Sequence, residues 1–309
     1  MTVNDYDIVI VGGGPAGLSA GLYAARARRK TLLIERGVIG GQISLTSAVE
    51  NYPGFMSING FDLAQEMRRQ AEANGLRIVD GSVTSVDLDG AYRVVKGPEA
   101  EYRAKAVILA GGADHNRLGV PGEERLTGRG VSYCATCDAA FFKDMEVAVV
   151  GGGDSALDEG LFVARYASKV TIIHRRDQLR ASRVLQERAF AEPKITFRWN
   201  TVVTEIEGES AVEAARLRDV VTGEESRLAV AGVFVFIGTT PNTAYLKGLV
   251  DLDAGGHVVT DLWMRTSVPG IFAAGDIRTE SARQVVSSAG DGATAAIAAD
   301  HYISDAFPG

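Results

Sequence analysis

Residues 7–17 read Asp-Ile-Val-Ile-Val-Gly-Gly-Gly-Pro-Ala-Gly. The apolar run from Asp7 to Val11 stops directly on glycine and has the length of a buried strand. Ala16 to Arg28 follows, Ala-rich and helical, and Thr31 to Glu35 is a second apolar run closing on an acid. Strand, glycine turn, helix and strand make a unit whose two strands lie parallel. In that setting glycines at 12, 14 and 17 carry meaning. The first permits a tight turn, the second lets backbone approach a pyrophosphate, and the third lets helix and strand pack closely, with the helix amino terminus facing the phosphate charge.

The unit returns at Glu146 to Val150, Ser155 to Arg165 and Val170 to His174. Laying Gly151 on Gly12 superposes Gly153 on Gly14 and Ala156 on Gly17, so the chain holds two copies of one nucleotide-binding module. After the first copy, Val83 to Asp87, Arg93 to Lys96 and Ala106 to Leu109 read as a small antiparallel meander packed beside the module, with a turn at Asp89-Gly90. A similar set follows the second copy: Val202 to Glu207, Ala214 to Asp219, Leu228 to Val230 and Val233 to Ile237. Gly/Pro-bearing stretches at 112–122 and 238–243 flank the second module, which therefore reads as inserted into the first. Helix-like Val285 to His301 would complete the first domain.

Composition agrees. With 309 residues, two domains are expected at roughly 150 residues each, here 1–116 with 244–309, and 117–243. Glycine accounts for 36 of the 309 residues, against a usual share of about 7%, and much of it clusters where backbone must approach something closely. The net charge of -7 would repel a phosphate backbone, which argues against nucleic acid. No apolar run approaches the roughly 18 residues of a bilayer span, and the first one runs into glycine as a strand does, so neither a membrane segment nor a signal peptide is expected. Two cysteines are too few for a secreted disulfide framework, and a reducing cytoplasm is the natural home.

Glu35 ends the second strand of the first module, where an acid can hydrogen-bond ribose hydroxyls, although a solvated charge would also suit a strand end. Its counterpart in the second module is His174, followed by Arg175, Arg176 and Arg180. A carboxylate would repel a ribose 2′-phosphate, whereas guanidinium groups bind one with paired hydrogen bonds. The first module thus reads as an FAD site and the second as an NADPH site.

Cys134-Ala135-Thr136-Cys137 precedes the second module. Such a pair can be a redox dithiol, half of a zinc site or two unrelated thiols. Zinc needs about four ligands, and His115, His174, His257 and His301 are scattered without ligand-like spacing, so a redox dithiol is expected and no metal. Asp138 is placed to act as acid and base for a thiolate, or to cap a helix.

Taken together, GGGPAG at 12–17, GGQ at 40–42, ENYPG at 50–54, CATCD at 134–138, GGGDSA at 151–156, HRRDQLRA at 174–181 and GIFAAGD at 270–276 with Arg283-Gln284 resemble the low-molecular-weight bacterial thioredoxin reductases. The resemblance covers essentially the whole chain. It implies two Rossmann-like dinucleotide-binding domains of α/β class, the second inserted into the first, in a cytoplasmic homodimer. It also implies a reaction: hydride passes from NADPH to FAD, electrons go on to the Cys134–Cys137 disulfide, and the dithiol reduces thioredoxin or a thioredoxin-like protein.

Carried over residue by residue, the resemblance gives the FAD site Gly12, Gly14, Pro15, Ala16, Gly17, Glu35, Gly41, Gln42, Asn51 and backbone near Val83. Asp276 would meet the ribitol or pyrophosphate, with Arg283, Gln284 and Val285 near the flavin ring. Gly153, Asp154, Ser155, His174, Arg175, Arg176, Arg180 and Ile237 would line the NADPH site. Cys137 would face the flavin and Cys134 the partner, the second domain swinging on the two linkers.

The chain departs from the family in two places. Ala139 and Ala140 precede Phe141 and Phe142 where a glycine is usual, and Ala110-Gly111-Gly112 lacks the hydroxyl of the usual Ala-Thr-Gly.

Related flavoproteins fit less well. A dithiol oxidase would not need the second glycine loop and its arginines. The flavoprotein partner of a peroxiredoxin carries an extra thioredoxin-like domain ahead of the FAD loop, which is not expected here. The glutathione reductase type spaces its cysteines by four residues soon after that loop. A catalytically silent nucleotide sensor would not need Cys134, Cys137 and Asp138 together.

Overall fold

The computed structural model describes residues 4–45, 49 and 51–308, the side chains at 4 and 45 excepted. The chain divides into two compact units, 1–114 with 240–309, and 115–239.

The first segment of unit 1 runs β1 (Asn4–Val11), α1 (Pro15–Arg26), β2 (Thr31–Glu35), α2 (Gly60–Ala73), β3 (Arg77–Asp80), β4 (Ser85–Asp89), β5 (Tyr92–Lys96) and β6 (Glu101–Leu109). The sheet order is β3-β2-β1-β6-β5-β4. The pairs β3–β2, β2–β1 and β1–β6 are parallel, and β6–β5 and β5–β4 antiparallel. In β1, Ile8 and Ile10 enter one core while Val9 and Val11 enter another on the opposite face. A strand covered on both faces reads as a continuous apolar run, which is why this one was legible. The meander differs from expectation. Nine-residue β6 pairs with β1 on one side and β5 on the other, so the antiparallel strands continue the main sheet instead of packing beside it. Val83 falls in the turn before β4, because Gly81 N–H is taken by Glu35 C=O at 2.8 Å and laddering begins only after Thr84.

The chain leaves unit 1 through β7 (Ala113–His115). Unit 2 contains α3 (Glu123–Leu126), β8 (Val131–Ser132), α4 (Ala135–Asp138), β9 (Glu146–Val150), α5 (Asp154–Ala164), β10 (Lys169–Ile173), α6 (Arg183–Ala191) and β11 (Ile195–Arg198). It continues through β12 (Thr201–Glu207), β13 (Ala214–Asp219), β14 (Glu225–Ala229) and β15 (Gly232–Val235). A parallel sheet in the order β11-β10-β9-β15-β8 and an antiparallel sheet β12-β13-β14 result. Central β9 repeats the logic of β1, with Val147 and Val149 in one core and Ala148 and Val150 in the other.

The chain returns through β16 (Thr239–Pro241), which pairs with β7, to β17 (Ile271–Ala273) on the edge of β6 and α7 (Val285–Ala306). The last helix runs five residues past the expected His301. It lies close on α1 because small residues line the contact: a Cβ at Gly292 would land on the carbonyl of Ala16, and Ala20, Ala24, Ala295 and Ala299 are fully buried. Among the described residues no helix is long and apolar enough to cross a membrane.

Candidate functional site

In unit 1 the turn between β1 and α1 has the form its glycines require. Gly12 sits at φ +110°, where a side chain is strained, and a Cβ there would collide with the Ala110 carbonyl; a Cβ at Gly17 would fall on the carbonyl of Gly12. Gly14 differs, since its φ of −74° suits any residue and a Cβ would meet nothing within 4 Å. It caps α1, Pro15 takes the first helical position, and no side chain caps the helix. Uncapped N–H groups beside open space suit the pyrophosphate of a dinucleotide. Glu35 faces this turn, accepting Gly13 N–H at 2.5 Å and Gly37 N–H at 2.7 Å.

Distant segments of the same unit gather on the turn. Gly40 N–H donates to Gly13 C=O at 2.8 Å, and the Cβ position of Gly41 is 3.7 Å from Gly14. Gln42 Nε2 donates to Asp114 at 3.0 Å. Gly275 packs against Ala16, bringing Asp276 to the first turn of α1, where its Oδ1 accepts Ser281 Oγ at 2.7 Å. Asn51 Nδ2 donates to Gln284 Oε1 at 3.1 Å, Gln284 caps α7, and Val285 packs with Ile43 and Leu63. Exposed Arg283 is held at φ +54°, a left-handed conformation unusual for a side-chain residue. Val83 packs against the core that contains Val9, Val11, Leu32 and Ile34. Glu50, in the quoted ENYPG run, lies outside the described residues.

Unit 2 repeats the plan with different chemistry. Gly151 is at φ +151° and Gly153, at the cap of α5, again faces open space with no side-chain cap on the helix. A Cβ at Gly152 would land on the imidazole of His174, so His174 takes the place that Glu35 takes in unit 1. The ring is only 6% exposed and its Nε2 contacts Gln178 C=O at 3.1 Å. Burial, joined by the charges of Arg176, Arg180 and Arg175, pushes its pKa down, so it packs as a neutral ring while the three exposed guanidiniums beside it offer charge. Arg180 N–H donates to Gly152 C=O at 2.7 Å and Asp154 accepts Ser182 N–H at 2.6 Å. The arginine segment is thereby folded back onto the glycine turn. Ser155 is exposed on the first turn of α5, and half-buried Ile237 packs against the core that contains Val233 and Val235.

Cys134 and Cys137 are joined in a disulfide, Cα to Cα 5.4 Å, with Cys134 at the cap of the short helix α4. Buried Ser132 holds the turn: its Oγ accepts Cys134 N–H at 3.1 Å and is bonded with the carboxyl of Asp138. Burial pushes the Asp138 pKa up, with the Ser132 hydroxyl pulling the other way. A half-buried carboxyl that holds its proton to higher pH than a free aspartate, beside a disulfide, is chemically suited to protonate a departing thiolate. A cavity of about 580 Å³ opens beside Thr136, walled by Asp158, Glu159, Phe162 and Arg165. Of the following residues, Ala139 is buried, Ala140 and Phe141 are exposed, and Phe142 packs edge-on to Phe234.

Two glycine turns and a cysteine pair invite comparison with known proteins. Residues 6–293 match the family model described as pyridine nucleotide-disulphide oxidoreductase. The thioredoxin reductase of Peptoclostridium acidaminophilum is 50% identical, over 98% of this chain and 99% of that protein. The thioredoxin reductase of Bacillus subtilis (strain 168) is also 50% identical, over 97% and 95%. The chain belongs to the thioredoxin reductases of the small bacterial type. The crystal structure of a member from Streptococcus pyogenes superposes with a TM-score of 0.94 at 46% identity, covering 98% of this chain and all of that one. Two Rossmann-type domains are the architecture of this family.

Several side chains around these sites escaped the sequence reading. Glu123, 2% exposed, accepts the N–H groups of Leu118 and Gly119 and the hydroxyl of Tyr133, each at 2.8 Å. Arg278 and Asp291 form a two-bond ion pair, at 2.6 and 3.0 Å, that also takes Gly275 N–H. Glu159 Oε2 accepts Ala135 N–H at 3.2 Å. Only Glu123 had a local signal, a carboxylate directly after Pro121-Gly122.

Proposed function

We propose that the chain is an NADPH-dependent, FAD-containing thioredoxin-disulfide reductase. The disulfide of Cys134 with Cys137, on a turn that also carries Asp138, is the observation that carries this reading. The family works with FAD and NADPH. FAD is assigned to 1–116 with 244–309, NADPH and the dithiol to 117–243. The open face at Gly14, the uncapped start of α1 and the Glu35 carboxylate support FAD with an unphosphorylated adenosine ribose. Open Gly153 with Arg175, Arg176 and Arg180 supports NADPH.

The turn at Gly12–Gly17 and Glu35 would hold FAD, which when bound would supply the hydride chemistry between NADPH and the disulfide; overall, NADPH, a proton and the disulfide give NADP⁺ and two thiols. The chain's residues do the rest. Cys134, as thiolate, attacks one sulfur of the thioredoxin disulfide, and the sulfur that leaves takes a proton from Asp138. Cys137 then closes on Cys134, releasing thioredoxin as a dithiol and restoring the starting disulfide. Turnover of this kind belongs in a reducing compartment, the cytoplasm, and the assembly is a homodimer, to be checked by sedimentation.

The test is NADPH oxidation by FAD-loaded protein with oxidised thioredoxin, beside NADH and a control without thioredoxin. Turnover is expected to require thioredoxin, to favour NADPH, and to vanish in Cys134→Ser and Cys137→Ser while NADPH still bleaches the flavin. Normal turnover in either variant would refute the electron route.

A further inference from the structure

The turn that carries both cysteines is four residues long, too short to satisfy its own first N–H groups, and Cys134 at its cap offers no side-chain bond to them. The missing acceptor comes from another element. Glu159, half-buried on α5, reaches the N–H of fully buried Ala135, the residue bonded to Cys134. We propose that Glu159 is a positioning residue of the dithiol, anchoring the cysteine turn through Ala135 and keeping a negative charge beside the reduced thiols. The proposal rests on reading the pair as the dithiol of a disulfide reductase.

The anchor and the charge have separable consequences. The anchor fixes the turn whether the pair is oxidised or reduced, since the bond is made to backbone and not to sulfur. The charge acts only on the reduced pair: a carboxylate near a thiol disfavours the thiolate and raises the pH at which it forms. Charged groups of both signs surround the turn. Asp138 lies on the turn itself, Asp158 on α5 and Arg165 at its end line the cavity at Thr136, and so do Arg188 on α6 and Glu192 at its end. Glu123 is turned to Tyr133 and the 118–119 backbone. Glu159 Oε2 accepts an N–H of the turn itself, so its charge has a direct route to the sulfurs.

In the exchange the attacking thiolate forms a new S–S bond as the partner's S–S bond breaks, and two electrons and two protons leave the pair. Holding protons on the resting dithiol keeps it a stronger donor of that electron pair, at the cost of a smaller thiolate fraction at neutral pH.

The experiment is the pH dependence of Cys134 alkylation by iodoacetamide in the reduced FAD-loaded protein, followed by mass spectrometry. Glu159→Gln keeps an acceptor for Ala135 N–H and drops the charge; Glu159→Ala drops both; Glu159→Asp keeps the charge. The alkylation midpoint is expected to fall by about half a pH unit or more in Gln and Ala, and to stay near the parent in Asp. Thermal stability should fall in Ala more than in Gln. A Gln curve that superposes on the parent, or moves upward, would overturn the proposal; if Gln failed to fold, the Asp and Ala curves decide by the same criterion. Alkylation needs no thioredoxin, so a parent enzyme inactive on thioredoxin would end the functional reading and leave this result standing.

Discussion

The carboxylate of Glu35 is bonded to the backbone N–H of Gly13. The imidazole of His174 lies in the matching place against Gly152. One plan therefore presents acceptor oxygens in the first module and, through the arginines that follow His174, donors in the second. Replacing Glu35 by Ala removes the acceptor, and charge-assisted hydrogen bonds of this kind contribute about 1.5–3 kcal/mol each. FAD affinity of the apoprotein, read by flavin fluorescence, should fall roughly ten- to hundredfold, with Glu35→Gln in between.

The glycines of each turn separate packing from ligand contact. Gly152→Ala pushes a methyl into the His174 ring and should cost about 1–3 kcal/mol of stability, the usual range for overpacking. Gly153→Ala has an ordinary φ and free space. It should leave the melting temperature within a degree or two, as an exposed substitution does, while raising the NADPH dissociation constant by about tenfold or more if the pyrophosphate needs that approach. Equal NADPH affinity in Gly153→Ala would remove the phosphate from this turn.

Arg175→Ala with Arg176→Ala should raise the KM for NADPH by about tenfold or more and leave that for NADH nearly unchanged, because only the 2′-phosphate needs the guanidiniums. Steady-state kinetics with both nucleotides checks this, and equal effects would remove the phosphate assignment.

His174 makes a separate, pH-dependent contribution. Its pKa is lowered in the fold, so near neutral pH the ring is uncharged in folded and unfolded chains alike. As pH falls through the unfolded value, about 6.5, the unfolded chain takes the proton first and stability is lost down to the folded value. Thermal midpoints measured from pH 7.5 to 5 should drop more steeply for the parent than for His174→Gln.

Asp138 works in the opposite sense. Its raised pKa keeps the carboxyl protonated to higher pH than a free aspartate, and an acid is lost as pH rises through that value. Thioredoxin reduction should therefore show an alkaline limb that Asp138→Asn abolishes, with turnover down by about a hundredfold or more, the scale of general acid catalysis.

Both glycine turns, their strands and helices, the cysteine pair and the basic run after His174 were legible in the sequence because each is a contiguous pattern. What was not legible depends on partners far along the chain. Arg278, Asp291 and Glu159 look like ordinary surface charges until the fold brings the first two together and sets the third against the backbone of Ala135. Two-residue β8 and three-residue β17 are too short for any periodicity and exist only because β15 and β6 offer them edges. β6 shows the same limit: its pattern announced a strand, but not that two kinds of pairing would meet on it. Even His174, expected to line the NADPH site, takes its buried, neutral character from its packing against Gly152 and from the arginines around it.

The crossings at 113–115 and 239–241 pair with each other, and the bonds on either side are local: Asn242 N–H to Gly112 C=O at 3.0 Å within unit 1, Asn116 N–H to Gly238 C=O at 3.0 Å within unit 2. Each unit thus has its own cut ends stitched side by side. Removing 115–239 would leave a gap that a turn of a few residues can span, and the excised piece could be joined head to tail equally simply. Closure this short has little entropic cost, which makes the inserted module a cassette: a donor with another nucleotide preference could be spliced into the same seam.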